Sequence, residues 1–125
     1  MNYLLDTQAF LWFEKGDPQL SEKAKAIIQS EDHIKFISVA SFWEIVIKHS
    51  LGKLDLHIAF EQLHQTKGYY HLEIDLLHLL QLQKLPHHHR DPFDRLIVSQ
   101  ALAEEMILIS SDEMFDAYGV NRIWQ

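Results

Sequence analysis

A chain of 125 residues with 47% apolar and 23% charged side chains has enough material for one closed core and too little polarity to stay disordered. With no cysteine among them, a disulfide framework and a thiolate zinc site are both excluded. The net charge of −7 disfavours tight nonspecific binding to a nucleic-acid duplex, which requires a cationic surface.

The apolar stretches are too short to span a bilayer. The N-terminus lacks the basic and long apolar regions of a signal peptide. The expectation is therefore a cytoplasmic protein with no membrane partner, folded as a single domain over residues 1–125.

In chain order, Asn2–Leu5 reads as a short buried strand ending at Asp6, followed by a helix over Thr7–Glu14 that stops at Gly16-Asp17-Pro18. Ser21 caps a second helix carrying Ala24, Ala26, Ile27 and Ile28. Ile34–Val39 is a β-rich run, and Ser38 or Ser41 caps the helix after it, which runs to Gly52. Ile58–Thr66 reads as a short helix and Tyr69–Ile74 as a third strand. Asp75 caps a leucine-rich helix over Leu76–Leu82, and Pro86 with His87–His89 forms a loop. Pro92–Met106 is the longest clear helix, with Leu96, Ile97, Ala101 and Leu102 on its apolar side. Ile107–Ile109 is a fourth strand, Asp112–Tyr118 a helical turn, and Val120–Trp124 a final edge strand. Strands alternating with helices predict an α/β fold of three layers, with a central, mainly parallel sheet of four to five strands.

In such sheets the carboxyl ends of the strands form the working edge, where strand order reverses. Four acids map there: Asp6 after the first strand, Glu44 shortly after the second, Asp94 in the first turn of the long helix, and Asp112 after the fourth strand. Each has an ordinary explanation. Helix starts attract carboxylates because free N–H groups and the helix dipole favour them. Asp91 before Pro92 is fully explained as an N-cap followed by proline at N1. Glu44 is harder to dismiss, since it sits among Phe42, Trp43, Ile45, Val46 and Ile47 and must face solvent or a polar site. Taken together, the four acids can converge on one divalent cation. Without them, 18 acids fall to 14 against 11 bases, leaving −3, so the charge balance does not rule out a metal-dependent nuclease. The three adjacent histidines suit solvent exposure or RNA contact better than zinc. Trp12, Trp43 and Trp124 suit core or interface positions, and the run from Leu76 to Leu85 suits packing or a partner surface.

The stretches Leu4-Leu5-Asp6-Thr7, Ser41-Phe42-Trp43-Glu44-Ile45, Lys48 with Gly52-Lys53-Leu54, His89-Arg90-Asp91-Pro92-Phe93-Asp94-Arg95 and Ser110-Ser111-Asp112 resemble a PIN-domain ribonuclease. The likeness is to the kind that serves as the VapC-type toxin of bacterial type II toxin–antitoxin modules. It covers nearly the whole chain, and the Arg-Asp-Pro-Phe-Asp-Arg stretch is its most specific part. Gln8 stands where relatives often have His, and Ser110 where they often have Thr; neither change removes a carboxylate.

The resemblance implies an acidic quartet of Asp6, Glu44, Asp94 and Asp112, an RNA substrate that is single-stranded or looped, a homodimer and an inhibitory antitoxin partner. Hard oxygen ligands suit Mg²⁺ or Mn²⁺, with Asp6 and Asp94 binding most directly. Arg90, Arg95, Lys48 and Lys53 are candidates for RNA phosphate contact. Two rival readings stand beside the metal-dependent endoribonuclease. One is a non-enzymatic interaction module whose acids only cap helices. The other is an aspartate-based phosphotransferase, for which Gln8 occupies the position where a second Asp is wanted.

Overall fold

The computed structural model describes residues 1–125. Five strands form its centre: β1 (Asn2–Leu5), β2 (Ile34–Ser38), β3 (Tyr70–Leu72), β4 (Ile107–Ile109) and β5 (Arg122–Ile123). Six α-helices join them: α1 (Thr7–Lys15), α2 (Glu22–Gln29), α3 (Val39–Ser50), α4 (Phe60–His64), α5 (Leu76–Gln83) and α6 (Pro92–Glu104). A 3-10 turn over Glu113–Tyr118 precedes β5.

The strand order is β3-β2-β1-β4-β5 and every neighbouring pair is parallel. The chain runs outward from β1 to β3 on one side, then returns to place β4 against the other side of β1. That reversal makes β1 and β4 the switch point, beyond whose carboxyl ends a crevice opens. Leu5 pairs with Ile37 on one side and Ile109 on the other, so Asp6 emerges at the centre of that edge.

Alternation along β1 sorts the core into two faces. Tyr3 and Leu5 join Phe10, Ala24, Ile28, Phe42 and Ile45 in one cluster. Leu4 joins Leu96, Ile97, Ala101, Leu108 and Phe115 in the other. Helices therefore cover both faces, which is the three-layer arrangement expected of a parallel sheet.

The caps lie where side-chain acceptors predict them: Ser21 accepts from Ala24 N–H, Asp75 from His78 N–H, and Asp91 from Phe93 and Asp94 N–H. Of the two serines that could start α3, Ser38 is the cap. The edge strands β3 and β5 are shorter than the runs 69–74 and 120–124, because each has hydrogen bonds from one neighbour only. The helix expected over 58–66 likewise shrinks to α4.

The long helix departs from expectation in its packing. All of Leu96, Ile97, Val98, Ser99, Gln100 and Ala101 are buried, because α6 lies against α3, α5 and β4 at once. Its polar residues are satisfied internally. Ser99 donates to the carbonyl of Arg95 (2.8 Å), Ser38 donates to Gln100 Oε1 (2.5 Å), and Gln100 Nε2 donates to the carbonyl of Glu73 (3.2 Å). No helix is long and apolar enough to cross a membrane.

Candidate active site

Asp6 is built into the end of the central ladder. Its N–H donates to the carbonyl of Ile109 (3.0 Å), and its Oδ1 accepts from Ala9 N–H (2.8 Å), capping α1. The residue is 9% exposed. Burial pushes its carboxyl up from 3.8 to about 6, with the charges of Glu44 and Asp112 adding to the rise and bonds from Ser110 and Ala9 opposing it. The ionised form is thus held at a cost in the metal-free protein.

Glu44 reaches the same place from α3 and, although buried, is fully engaged. Thr7 Oγ1 donates to its Oε1 (2.6 Å) and lies 2.9 Å from Ser41 Oγ. Lys48, one turn along α3, donates to Oε2 at 2.5 Å. That bond holds the Lys48 ammonium above its ordinary pKa, and the charges of Asp91 and Asp94 add to it. The glutamate in its apolar helix therefore faces a polar site, as its setting requires.

Asp94 enters from the first turn of α6 and differs from the other acids. Its side chain accepts no hydrogen bond from a backbone or side-chain donor. Burial, then the charges of Asp91 and Glu44, push its carboxyl up from 3.8 to about 7, with His89 acting the other way and Asp6 adding slightly. A helix cap explains Asp91, whose Oδ1 takes both N–H groups at 2.8 and 3.1 Å. No cap explains Asp94.

These side chains border one cavity of about 280 Å³, lined by Asp6, Thr7, Gln8, Glu44, Lys48, Lys53, Asp91 and Asp94 among others. Asp112 does not line it, but its charge reaches Asp6. Its Oδ1 caps the 3-10 turn through Met114 N–H (3.0 Å), and its own N–H donates to Ser110 Oγ (3.1 Å). Ser110, wholly buried, thereby ties the Asp112 loop to the end of β4, and its hydroxyl opposes the rise at the Asp6 carboxyl.

The four basic candidates divide. Lys48 and Lys53 border the cavity, while Arg90 and Arg95 do not. Arg95 is committed to the loop before α6, donating to the carbonyls of Leu85 (3.3 Å), Pro86 (2.9 Å) and His89 (3.5 Å). The histidine trio divides too. His87 and His88 are exposed, but His89 is buried, which corrects the expectation of solvent or RNA contact for that residue. Trp12 packs on Trp124 at 5.9 Å, whereas Trp43 is 56% exposed and meets the edge of Phe93.

Sequence reasoning gave no role to Thr7 or Ser110 and read Asp91 as a cap alone. Asp91 is a cap that also borders the cavity, and its place in the Arg-Asp-Pro-Phe-Asp-Arg stretch was the available signal. The two functions are separable. Asp91→Ala should cost about 1 kcal/mol of stability while Asp91→Ser keeps the cap and melts near the parent. If Asp91→Ser instead loses whatever chemistry the site performs as completely as Asp94→Asn, Asp91 belongs among the functional carboxylates.

A second group of ligating side chains, Asp75, His78 and Glu104, lies on α5 and α6. Asp75 N–H donates to His78 Nδ1 (3.1 Å), which leaves the ring proton on Nε2, 2.7 Å from Glu104 Oε2. With both ring nitrogens of the buried His78 used, the group is a polar clasp between two helices, its carboxylates at the surface, rather than an open ion site.

The sequence is matched by the family model for the PIN domain over residues 3–121. Among curated proteins no match is found. Among solved structures the chain is similar to VapBC2 from Rickettsia felis bound to a DNA fragment from its promoter, with TM-score 0.74, 17% identity and all of both chains covered. It is also similar to FitAcB from Neisseria gonorrhoeae, with TM-score 0.68, 17% identity, and 97% of this chain and 96% of that one covered. VapBC-1 from nontypeable Haemophilus influenzae gives TM-score 0.66 at 18% identity, covering 98% and 97%. At such identities the likeness is one of fold.

Proposed function

The chain belongs to the PIN domain family, and on that premise we propose that it is a metal-dependent endoribonuclease, the toxin of a toxin–antitoxin pair. The observation that carries this reading is Asp94: a half-buried carboxylate that caps nothing, pushed up to about 7 beside Asp91, Glu44 and Asp6. Such a group is destabilising alone and becomes favourable when a cation joins it. The donors around it are all oxygens, which fits Mg²⁺ or Mn²⁺ and not a soft metal. Asp6 and Asp94 would hold the ion most directly, with Glu44 and Asp112 completing or tuning the shell. When bound, the ion would supply charge stabilisation at a phosphodiester and a lowered pKa for an attacking water.

The chain's own residues supply the rest. Thr7 and Lys48 fix Glu44 in orientation. Lys53, at the cavity border, offers a cation to the RNA backbone, as does the solvent-facing side of Lys48. A water proton released in the cavity can pass to a carboxylate that borders it without holding the ion, such as Asp91. Flexible single-stranded RNA suits an acidic cleft better than a duplex, because its phosphate can be turned inward alone.

The proposed antitoxin fits the same electrostatics, since a guanidinium would find forked carboxylate partners in the metal-free cavity. VapBC2 from Rickettsia felis, of similar fold, is bound to a DNA fragment from its promoter. A homodimer is proposed from the exposed Val39, Trp43 and Val46 of α3 and the exposed Leu76 and Leu80 of α5, apolar side chains that a second copy of the chain would cover.

The test is cleavage of a labelled single-stranded RNA by the purified protein. Activity should vanish in EDTA, return with Mg²⁺ or Mn²⁺, and fall sharply on a duplex of the same sequence. Cleavage that survives EDTA, or none with either ion, contradicts the proposal.

A further inference from the structure

The geometry points to His89 as the positioning residue that holds Asp112 for the ion, an inference that rests on the metal-site reading above. His89 Nε2 lies 2.7 Å from Asp112 Oδ2, and Nδ1 lies 2.9 Å from the Tyr118 hydroxyl. The ring is stacked on Phe115 at 4.5 Å and 19° and is only 8% exposed. The carboxylate can only accept, so Nε2 carries a proton. In the neutral ring Nδ1 is then the acceptor, and the Tyr118 O–H donates to it.

Asp112 needs this support. Its side chain is 38% exposed, and only two bonds hold its oxygens: Met114 N–H on Oδ1 and His89 on Oδ2. The backbone bond fixes one oxygen, and the histidine fixes rotation about it. Each oxygen keeps a lone pair for a cation. Metal-binding carboxylates are commonly oriented by such outer partners, whose loss typically weakens the metal about 10–100-fold.

His89 also ties two elements of the site together. Its backbone carbonyl is held by Arg95 in the first turn of α6, the turn that carries Asp94, while its ring reaches the loop after β4. Asp94 and Asp112, 18 positions apart in the sequence, are thereby placed relative to each other through one buried ring. Arg95, expected from sequence to touch RNA, serves in this arrangement to anchor the loop that presents His89.

The test is Mn²⁺ affinity of the purified protein, read by the electron paramagnetic resonance of free Mn²⁺, with no RNA present. His89→Phe keeps an aromatic ring on Phe115 and removes the donor; it should weaken Mn²⁺ about 10–100-fold. His89→Gln can return an N–H to Asp112 and should recover most of that loss. Wild-type affinity in His89→Phe overturns the positioning role and leaves the metal site standing. Equal weakening in the two variants also overturns it, because packing alone would then explain the effect. If the parent binds Mn²⁺ no better than Asp94→Asn, the metal-site reading fails and takes this inference with it. Should His89→Phe not fold, Tyr118→Phe removes only the hydroxyl that donates to Nδ1 and holds the ring in its orientation. It should weaken Mn²⁺ in the same sense, and unchanged affinity there overturns the proposal.

Discussion

Asp94→Asn should abolish RNA cleavage, lowering kcat by at least about 10³-fold, the scale of losing several kcal/mol of metal-derived transition-state stabilisation. The substitution keeps the size of the side chain and removes one charge from a crowded group. Because Asp94 accepts no hydrogen bond and is raised to about 7 by burial and neighbouring acids, the same change should stabilise the metal-free protein at pH 8. The gain is discounted for solvent screening to about 1 kcal/mol. An inactive protein that melts higher than its parent separates this account from a mere loss of fold. Chemical denaturation in EDTA, beside the cleavage assay, reads both quantities. Full cleavage by Asp94→Asn would remove the residue from the site, and a lower midpoint would mean that it serves the fold.

The second large effect links pH to metal. Asp6 and Asp94 are raised from 3.8 to about 6 and about 7, so the folded chain binds protons there that the unfolded chain has released. Between about pH 4 and 7 the metal-free protein should therefore lose stability as pH rises. Ionised Asp6, more than nine-tenths buried, accounts for about 3 kcal/mol of that loss. Mn²⁺ requires the ionised carboxylates, so its stabilisation should grow across the same window. At pH 8 and 100 times the dissociation constant it amounts to about 2.7 kcal/mol, or about 10 °C in Tm for a chain of this length. Thermal melts with and without Mn²⁺ at pH 5 and pH 8 check the sign. A Mn²⁺ effect that is equal at both values, or equal in Asp6→Asn, contradicts the assignment.

What could be read from the sequence was whatever depends on neighbours a few residues away. The apolar run before Asp6 marks β1 to the residue, and Ser21, Asp75 and Asp91 announce helices because a cap is a local hydrogen bond. The four candidate acids stood out because strand ends and helix starts fall at predictable places once a parallel sheet is assumed. His89 was not legible. Its neighbours His87 and His88 are exposed, and its burial comes from Asp112 and Tyr118, 23 and 29 positions away. The burial of Ser99 and Gln100 was hidden for the same reason: helical periodicity sees one core face, whereas α6 is covered from several directions. Lys35 is a third case. It is a buried lysine in β2 whose ammonium donates to the carbonyls of Ile28 (2.9 Å) and Ser30 (2.6 Å), closing the end of α2.

In the proposed site Asp6 and Asp94 would hold the ion, with Glu44 and Asp112 brought beside them from two further elements. Anomalous diffraction from crystals grown with Mn²⁺ at pH 8 tests this most directly. The account predicts a peak in the cavity within coordination distance of Asp6 and Asp94, lost in Asp94→Asn. A peak at Asp75, His78 and Glu104 instead, or none at a Mn²⁺ concentration that supports cleavage, would contradict it.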